Sequence, residues 1–210
     1  MKAFTEHGYH LAEVISAIQK EIRRGNERSA LYWAFHLVPR YEQYLWRRLL
    51  VIANEDIGLG NPQVLYSLPA LREQWFEFRS LGKNGTCRLI LANAILLLCR
   101  SPKSRLADHM QRAVSQEFMD APKRSIPDHA LDKHTGRGRA AGRGVAHWLE
   151  EGCKLEPVAD IDDPYAQEAQ SHWLCGNTDA PEWGKRSPDG KLSGWRSDHR
   201  TPDPQFEMDL

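Results

Sequence analysis

With 210 residues, 41% of them hydrophobic and 27% charged, the chain has an ordinary globular composition, enough for one large domain or a domain plus an appendage. No apolar run approaches the roughly 20 residues of a membrane span, and Met1 to His7 lack the apolar stretch of a signal peptide, so a cytoplasmic protein with no membrane partner is expected. The formal net charge is zero but uneven: residues 1–154 carry 23 Lys/Arg against 16 Asp/Glu, and residues 155–210 carry 5 against 12.

That asymmetry fits either a nucleic-acid partner for the basic body or an acidic tail folded back on it. Along the chain, Leu11, Val14, Ile15, Ile18 and Ile22 recur at three- and four-residue steps, which predicts a helix ended by Gly25-Asn26. Leu31, Phe35 and Val38 predict a short helix stopped by Pro39, and Tyr41, Leu45, Leu49 and Ile52 predict a third. Two glycines break the pattern over Asn54 to Gly60. Asn61-Pro62 reads as a helix start, with Asn as N-cap and Pro at the first helical position, and Leu65, Leu68, Leu71 and Trp75 continue that helix. After Gly82 and Gly85 comes the most apolar helix, from about Cys87 to Cys99 and expected at the centre of the core. Pro102 opens a further helix, with Leu106, Met110, Ala113 and Val114 expected to face inward.

From Asp120 the character changes. Pro122, Pro127 and the run from Gly136 to Gly144 disfavour a long regular element, with a short helix returning at Val145 to Glu151. Beyond Pro157 the chain is acidic, rich in Pro, Gly and Trp, and without a sustained period. It reads as a disordered tail or as an extended strap pinned by Trp173, Trp183 and Trp195. The expectation is an all-α, bundle-like domain of about six or seven helices over residues 1–154, followed by an irregular acidic extension over 155–210.

Three stretches carry a family resemblance. The first runs Ile15-Ser16-Ala17, Gln19-Lys20 and Ile22-Arg23-Arg24-Gly25 into Ser29-Ala30-Leu31-Tyr32-Trp33. The second is Arg47-Arg48-Leu49, Ala53-Asn54-Glu55-Asp56-Ile57-Gly58-Leu59 and Asn61-Pro62-Gln63, and the third is Ser101-Pro102-Lys103-Ser104. In this order and spacing they resemble the C-terminal region of the replication-associated recombination protein A (maintenance of genome stability protein A) family of AAA+ ATPases, over about residues 14–105. The resemblance implies a helical oligomerisation module, tetrameric and linked to DNA replication or repair. A separate AAA+ ATPase or a single-stranded-DNA-binding protein is a further expected partner. Tyr32, Trp33, Arg47, Arg48, Glu55, Asp56, Gly58, Pro62, Pro102 and Lys103 are its motif positions, expected to be structural. No G-x-x-x-x-G-K-[ST] pattern occurs, so ATP hydrolysis does not carry over and no cofactor is expected.

The Arg/Gly run is the leading binding feature. Lys133, Arg137, Arg139 and Arg143, with Lys123 and Arg124 upstream, place cations on a backbone free to approach a phosphate, and Trp148 beside them could stack on a base. The competing reading is a surface loop whose arginines pair with the acidic tail. Glu55-Asp56 beside Arg47-Arg48 could form an acid/base cluster or a magnesium site. The resemblance favours carboxylates that cap the helix near Asn61 or pair with those two arginines. The four cysteines are far apart and read as free thiols, and of the His/Cys pairs only His172-x-x-Cys175 has ligand-like spacing, so no metal is expected. Tyr32, Trp33, Trp46, Trp75 and Phe76 fall in helices and read as core or subunit-interface residues. No nucleophile motif is present, and the expectation is a non-enzyme that acts by assembly and binding. The alternatives are a protein–protein adaptor from a mobile element and a small hydrolase on a helical scaffold.

Overall fold

A computed structural model describes residues 3–174 and is all-α there. The chain forms two compact units that divide after Lys123, so the change of composition at 154/155 falls inside the second. In the first unit the helices are α1 (Leu11–Arg24), α2 (Glu27–Phe35), α3 (Glu42–Ile52), α4 (Gln63–Ser80), α5 (Asn84–Arg100) and α6 (Leu106–Asp120). A π-helical turn (Ala53–Ile57) and a 3-10 turn (Gly58–Gly60) join α3 to α4.

The apolar stripe of α1 buries Val14, Ile15, Ile18 and Ile22, as its period requires. Gly25 ends the helix in the left-handed region at φ 73°, while the Asn26 and Gly25 amides return to the Glu21 and Ile22 carbonyls at 2.9 and 3.1 Å. α5 buries seven residues from Cys87 to Cys99 and packs against α1, α2 and α4, so it is the central helix. Around it Trp46 and Trp75, both fully buried, sit with ring centroids 5.7 Å apart, and the Trp75 indole N–H donates to Glu42 Oε2 at 3.2 Å.

Two expectations about this unit are corrected. Asn61 does not cap α4: its side-chain amide donates to Ser101 Oγ at 2.9 Å, and the helix begins after Pro62 without a side-chain cap. α6 starts at Leu106 instead of Pro102 and buries none of its residues in the described structure. Leu106, Met110 and Val114 are 58%, 67% and 49% exposed, the reverse of the inward placement that their spacing suggests.

Among its described residues the second unit holds a 3-10 turn (Asp128–Ala130), three helices, α7 (Gly136–Ala140), α8 (Val145–His147) and α9 (Ala166–Leu174), and a π-helical turn (Trp148–Gly152). The Arg/Gly run is therefore more regular than its composition suggests. Thr135 caps it, its hydroxyl accepting the Gly138 N–H at 3.0 Å. Gly138 is obligatory, since a Cβ there would lie 1.9 Å from the Asp132 carbonyl oxygen. α9 replaces the expected irregular chain over 166–174; Trp183 and Trp195 lie outside the described residues.

Candidate functional site

The motif residues converge at one place in the first unit. The π-helical turn after α3 directs Glu55 and Asp56 toward α1, where Gln19 and Arg23 stand one turn apart on the same face. Asp56, 1% exposed, accepts Arg23 Nε on Oδ1 at 2.8 Å and the Gln19 amide on Oδ2 at 3.0 Å. Glu55 Oε1 accepts Arg23 Nη2 at 3.0 Å and Arg105 Nη2 at 3.3 Å, and its Oε2 takes the Gln19 amide at 3.1 Å. Gln19 Oε1 in turn accepts Arg48 Nη2 at 2.7 Å. Every carboxylate oxygen of this lock thus receives a guanidinium or amide donor, an arrangement that satisfies buried charge. Among the described residues there is no group of three His, Cys, Asp or Glu side chains that could hold a metal ion.

The 101–105 strap closes the lock. The Ser104 N–H donates to the Asp56 carbonyl at 2.9 Å, and Lys103 Nζ donates to the carbonyls of Leu98, Cys99 and Ser101 at 2.9, 2.9 and 2.6 Å. A cation on the last carbonyls of α5 is favoured by the helix dipole. Burial pushes the Lys103 ammonium below the usual lysine value, against the opposing pull of Cys99 and Asp56. Gly60 lets the strap pass: a Cβ there would stand 2.5 Å from the Pro102 carbonyl oxygen. Gly58, at φ 43°, reverses the chain just before, while Pro62 and Pro102 lie exposed beside it.

The other motif positions lie elsewhere. Arg47 is exposed and makes no ion pair or side-chain hydrogen bond among the described residues, so of the Arg47-Arg48 pair only Arg48 joins the lock. Tyr32 is 55% exposed, and Trp33 is half-buried against the core. Gln19, Arg23 and Arg105 are lock residues that the sequence reading does not single out as sites. The one usable signal is the four-residue step from Gln19 to Arg23, which sets two polar groups on one edge of an otherwise apolar helix.

In the second unit the four candidate cations are not equivalent. Arg143 is spent internally, donating to the Asp128 and Leu131 carbonyls at 2.7 Å each and to Asp128 Oδ1 at 2.6 Å. That hydrogen bond holds the Asp128 carboxyl below the usual carboxylate range. Arg139 reaches the His134 carbonyl at 3.2 Å. Lys133 places its ammonium 4.6 Å from the centroid of Trp148, whose ring also meets His134 and Trp173 edge-on. Arg137 alone of the four is exposed with no side-chain partner among the described residues. Cys153 donates to the Leu149 carbonyl at 3.3 Å, and Cys175, the partner proposed for His172, lies outside the described residues.

α6 supplies the remaining feature. Phe118 and Met119, 64% and 76% exposed, extend the apolar set of Leu106, Met110 and Val114 along the helix. An open groove of about 560 Å³ lies at its base, between Leu50, Val51 and Asn54 of the α3 side and Ala107, Asp108 and Gln111 of α6.

The described residues of the first unit form an all-α domain braced by a buried carboxylate–arginine lock, and the sequence holds no phosphate-binding loop. The chain belongs to the family described as the MgsA AAA+ ATPase C terminal, whose model matches residues 25–155. It is similar to the replication-associated recombination protein A of Bacillus subtilis, with 33% identity over 160 aligned residues covering 70% of this chain and 36% of that protein. The protein of the same name from Haemophilus influenzae is 30% identical over 146 residues, covering 69% and 32%, and that from Escherichia coli 29% over 143 residues, covering 67% and 31%. The chain therefore spans about a third of the length of these relatives. No helix among the described residues is long and apolar enough to cross a membrane.

Proposed function

We propose that this chain is a non-catalytic assembly module that self-associates through α6 and serves replication-associated recombination, the process named for its relatives. The observation that carries this is the apolar side of α6, about half to two-thirds exposed at Leu106, Met110, Val114 and Phe118 on a helix that buries nothing in its own unit. Those four side chains offer on the order of 450 Å² per copy, more than half of the roughly 800 Å² per partner of a standard interface. A second copy suits this surface, because each protomer brings both the apolar helix and the apolar-walled groove at its base, as a self-complementary contact requires. The non-catalytic reading is supported by the pairing of Glu55 and Asp56 with arginine and amide donors, since these are the carboxylates a hydrolase would need.

Light scattering during size-exclusion chromatography tests it. The expected result is an oligomer, a tetramer by resemblance, that a Met110→Asp/Val114→Asp variant converts to monomer with unchanged helicity. A wild-type monomer at high concentration, or a variant of wild-type mass, would refute the assembly reading. A second reading rests on Arg137: exposed and without a side-chain partner among the described residues, it is the cation of the Arg/Gly run best placed to contact DNA phosphate, while Arg139 and Arg143 are engaged with carbonyls.

A further inference from the structure

We infer that Asn84 is a site of self-modification: its side-chain amide deamidates through the Gly85 nitrogen, and the aspartate that forms is received by Arg79. Asn84-Gly85 is the only Asn-Gly step in the sequence. Glycine matters here because, without a Cβ, its nitrogen can close unhindered on the neighbouring side-chain carbonyl. The pair opens α5, where the first N–H groups of a helix have no acceptor one turn back. Both residues are exposed, and the Gly85 N–H has no hydrogen-bond acceptor among the described residues. The other asparagines of the first unit lack one or more of these conditions. The amide after Asn26 donates to the Gly25 carbonyl at 3.0 Å, and Pro62, after Asn61, has no N–H to give. Asn54 sits inside the π-helical turn ahead of the bulkier Glu55, with its own amide on the Leu50 carbonyl at 2.9 Å. Asn93 and Ala94 lie in the middle of α5.

The step needs no reagent but water. The Gly85 nitrogen, having lost its proton, attacks Asn84 Cγ. A nitrogen–carbon bond forms there, and the bond from Cγ to the side-chain nitrogen breaks and releases ammonia. Water then opens the cyclic imide: addition at Cγ gives aspartate, and addition at the Asn84 main-chain carbonyl gives isoaspartate. Either product carries a new negative charge. Arg79 is the counter-charge already in place. Its Nη1 donates to Asn84 Oδ1, while its Nε is bound to the buried Glu42 at 2.7 Å. An aspartate in place of Asn84 therefore meets a guanidinium donor and turns a neutral hydrogen bond into a charge-assisted one. A carboxylate in the first turn of α5 also matches the helix dipole. The charge arises at the mouth of a cleft of about 340 Å³ lined by Phe35, Val38, Trp75, Arg79 and Arg88, so conversion changes the electrostatics of that opening.

The test is incubation of the whole purified chain at neutral and at mildly alkaline pH, then proteolysis and mass spectrometry with fragmentation that separates aspartate from isoaspartate. Conversion at residue 84 should grow with time, yield both products, and run faster at the higher pH, where the Gly85 nitrogen loses its proton more readily. Asn26, Asn54 and Asn93 should stay unchanged over the same period. Gly85→Ala should bring conversion at Asn84 down to their level. A Cβ at Gly85 meets nothing within 4 Å, so this variant keeps the fold. Asn84→Asp, which carries the product from the start, should have a thermal midpoint equal to or above that of the wild-type chain. No conversion at Asn84, equal conversion in Gly85→Ala, or conversion spread evenly over the other asparagines would overturn the assignment. An Asn84→Asp midpoint below wild type would refute the part given to Arg79.

Discussion

Replacing Asp56 by Asn removes one charge from the lock and almost no volume. In the wild-type chain its carboxylate accepts a guanidinium N–H at 2.8 Å and an amide N–H at 3.0 Å while 1% exposed. The new amide can accept only one of these and turns its own NH2 toward the other donor. A hydrogen bond to a charged group contributes about 1.5–3 kcal/mol, and stranding a buried polar group costs about 1–3 kcal/mol. The stranded charge itself weighs less, because the side chains of Arg23 and Arg105 are 33% and 45% exposed and can turn to water. The expected loss is about 3 kcal/mol, a large share of the 5–15 kcal/mol typical of a domain. Urea unfolding followed by circular dichroism reads it as a lower midpoint at unchanged slope. Glu55→Gln, at a side chain 26% exposed, should lose about 1 kcal/mol by the same reasoning. Asp56→Asn within about 0.5 kcal/mol of wild type would refute the claim that this lock holds the strap and α6 to the body.

Gly60→Ala should lose about 1–3 kcal/mol in the same assay, because its Cβ would meet the Pro102 carbonyl oxygen, backbone that cannot swing aside. Equal stability would mean that the strap passes more loosely than described. Burial, reinforced by His7, holds the His36 imidazole below its ordinary value near 6.5, so the folded state disfavours its protonation. The unfolded chain then binds more protons as pH falls through that value, so stability is full above it and declines below; His36→Gln should remove part of that decline. A variant with the wild-type pH profile would exclude His36 as its source.

The elements legible in the sequence are those whose burial is settled within one helix. The three- and four-residue steps of α1 and the nearly unbroken apolar α5 predict both their extent and their buried faces. α6 has an equally clear stripe, but periodicity reports only that one side is apolar, and what covers that side depends on the rest of the molecule. The lock was half legible. Pairing of Glu55 and Asp56 with Arg47 and Arg48 is one of the two structural readings, yet the arginines that pair with them are Arg23 and Arg105, 32 to 50 residues away, while Arg48 reaches Gln19 and Arg47 takes no part. Side-chain capping by Asn61 fails for a similar reason, since Ser101, 40 residues on, competes for its amide. The Arg/Gly run reads as pliable, whereas Gly138 is present because the Asp132 backbone occupies the space a Cβ would need.

Arg105 and Ser104 fasten the first turn of α6 through Glu55, Asp56 and the Asp56 carbonyl, and beyond that turn the helix contributes no buried side chain to the unit that carries it. Folding and the proposed assembly therefore draw on separate residues. The outward positions from Met110 to Met119 can change from one relative to the next without disturbing the core, while any change in the lock alters where the whole helix points.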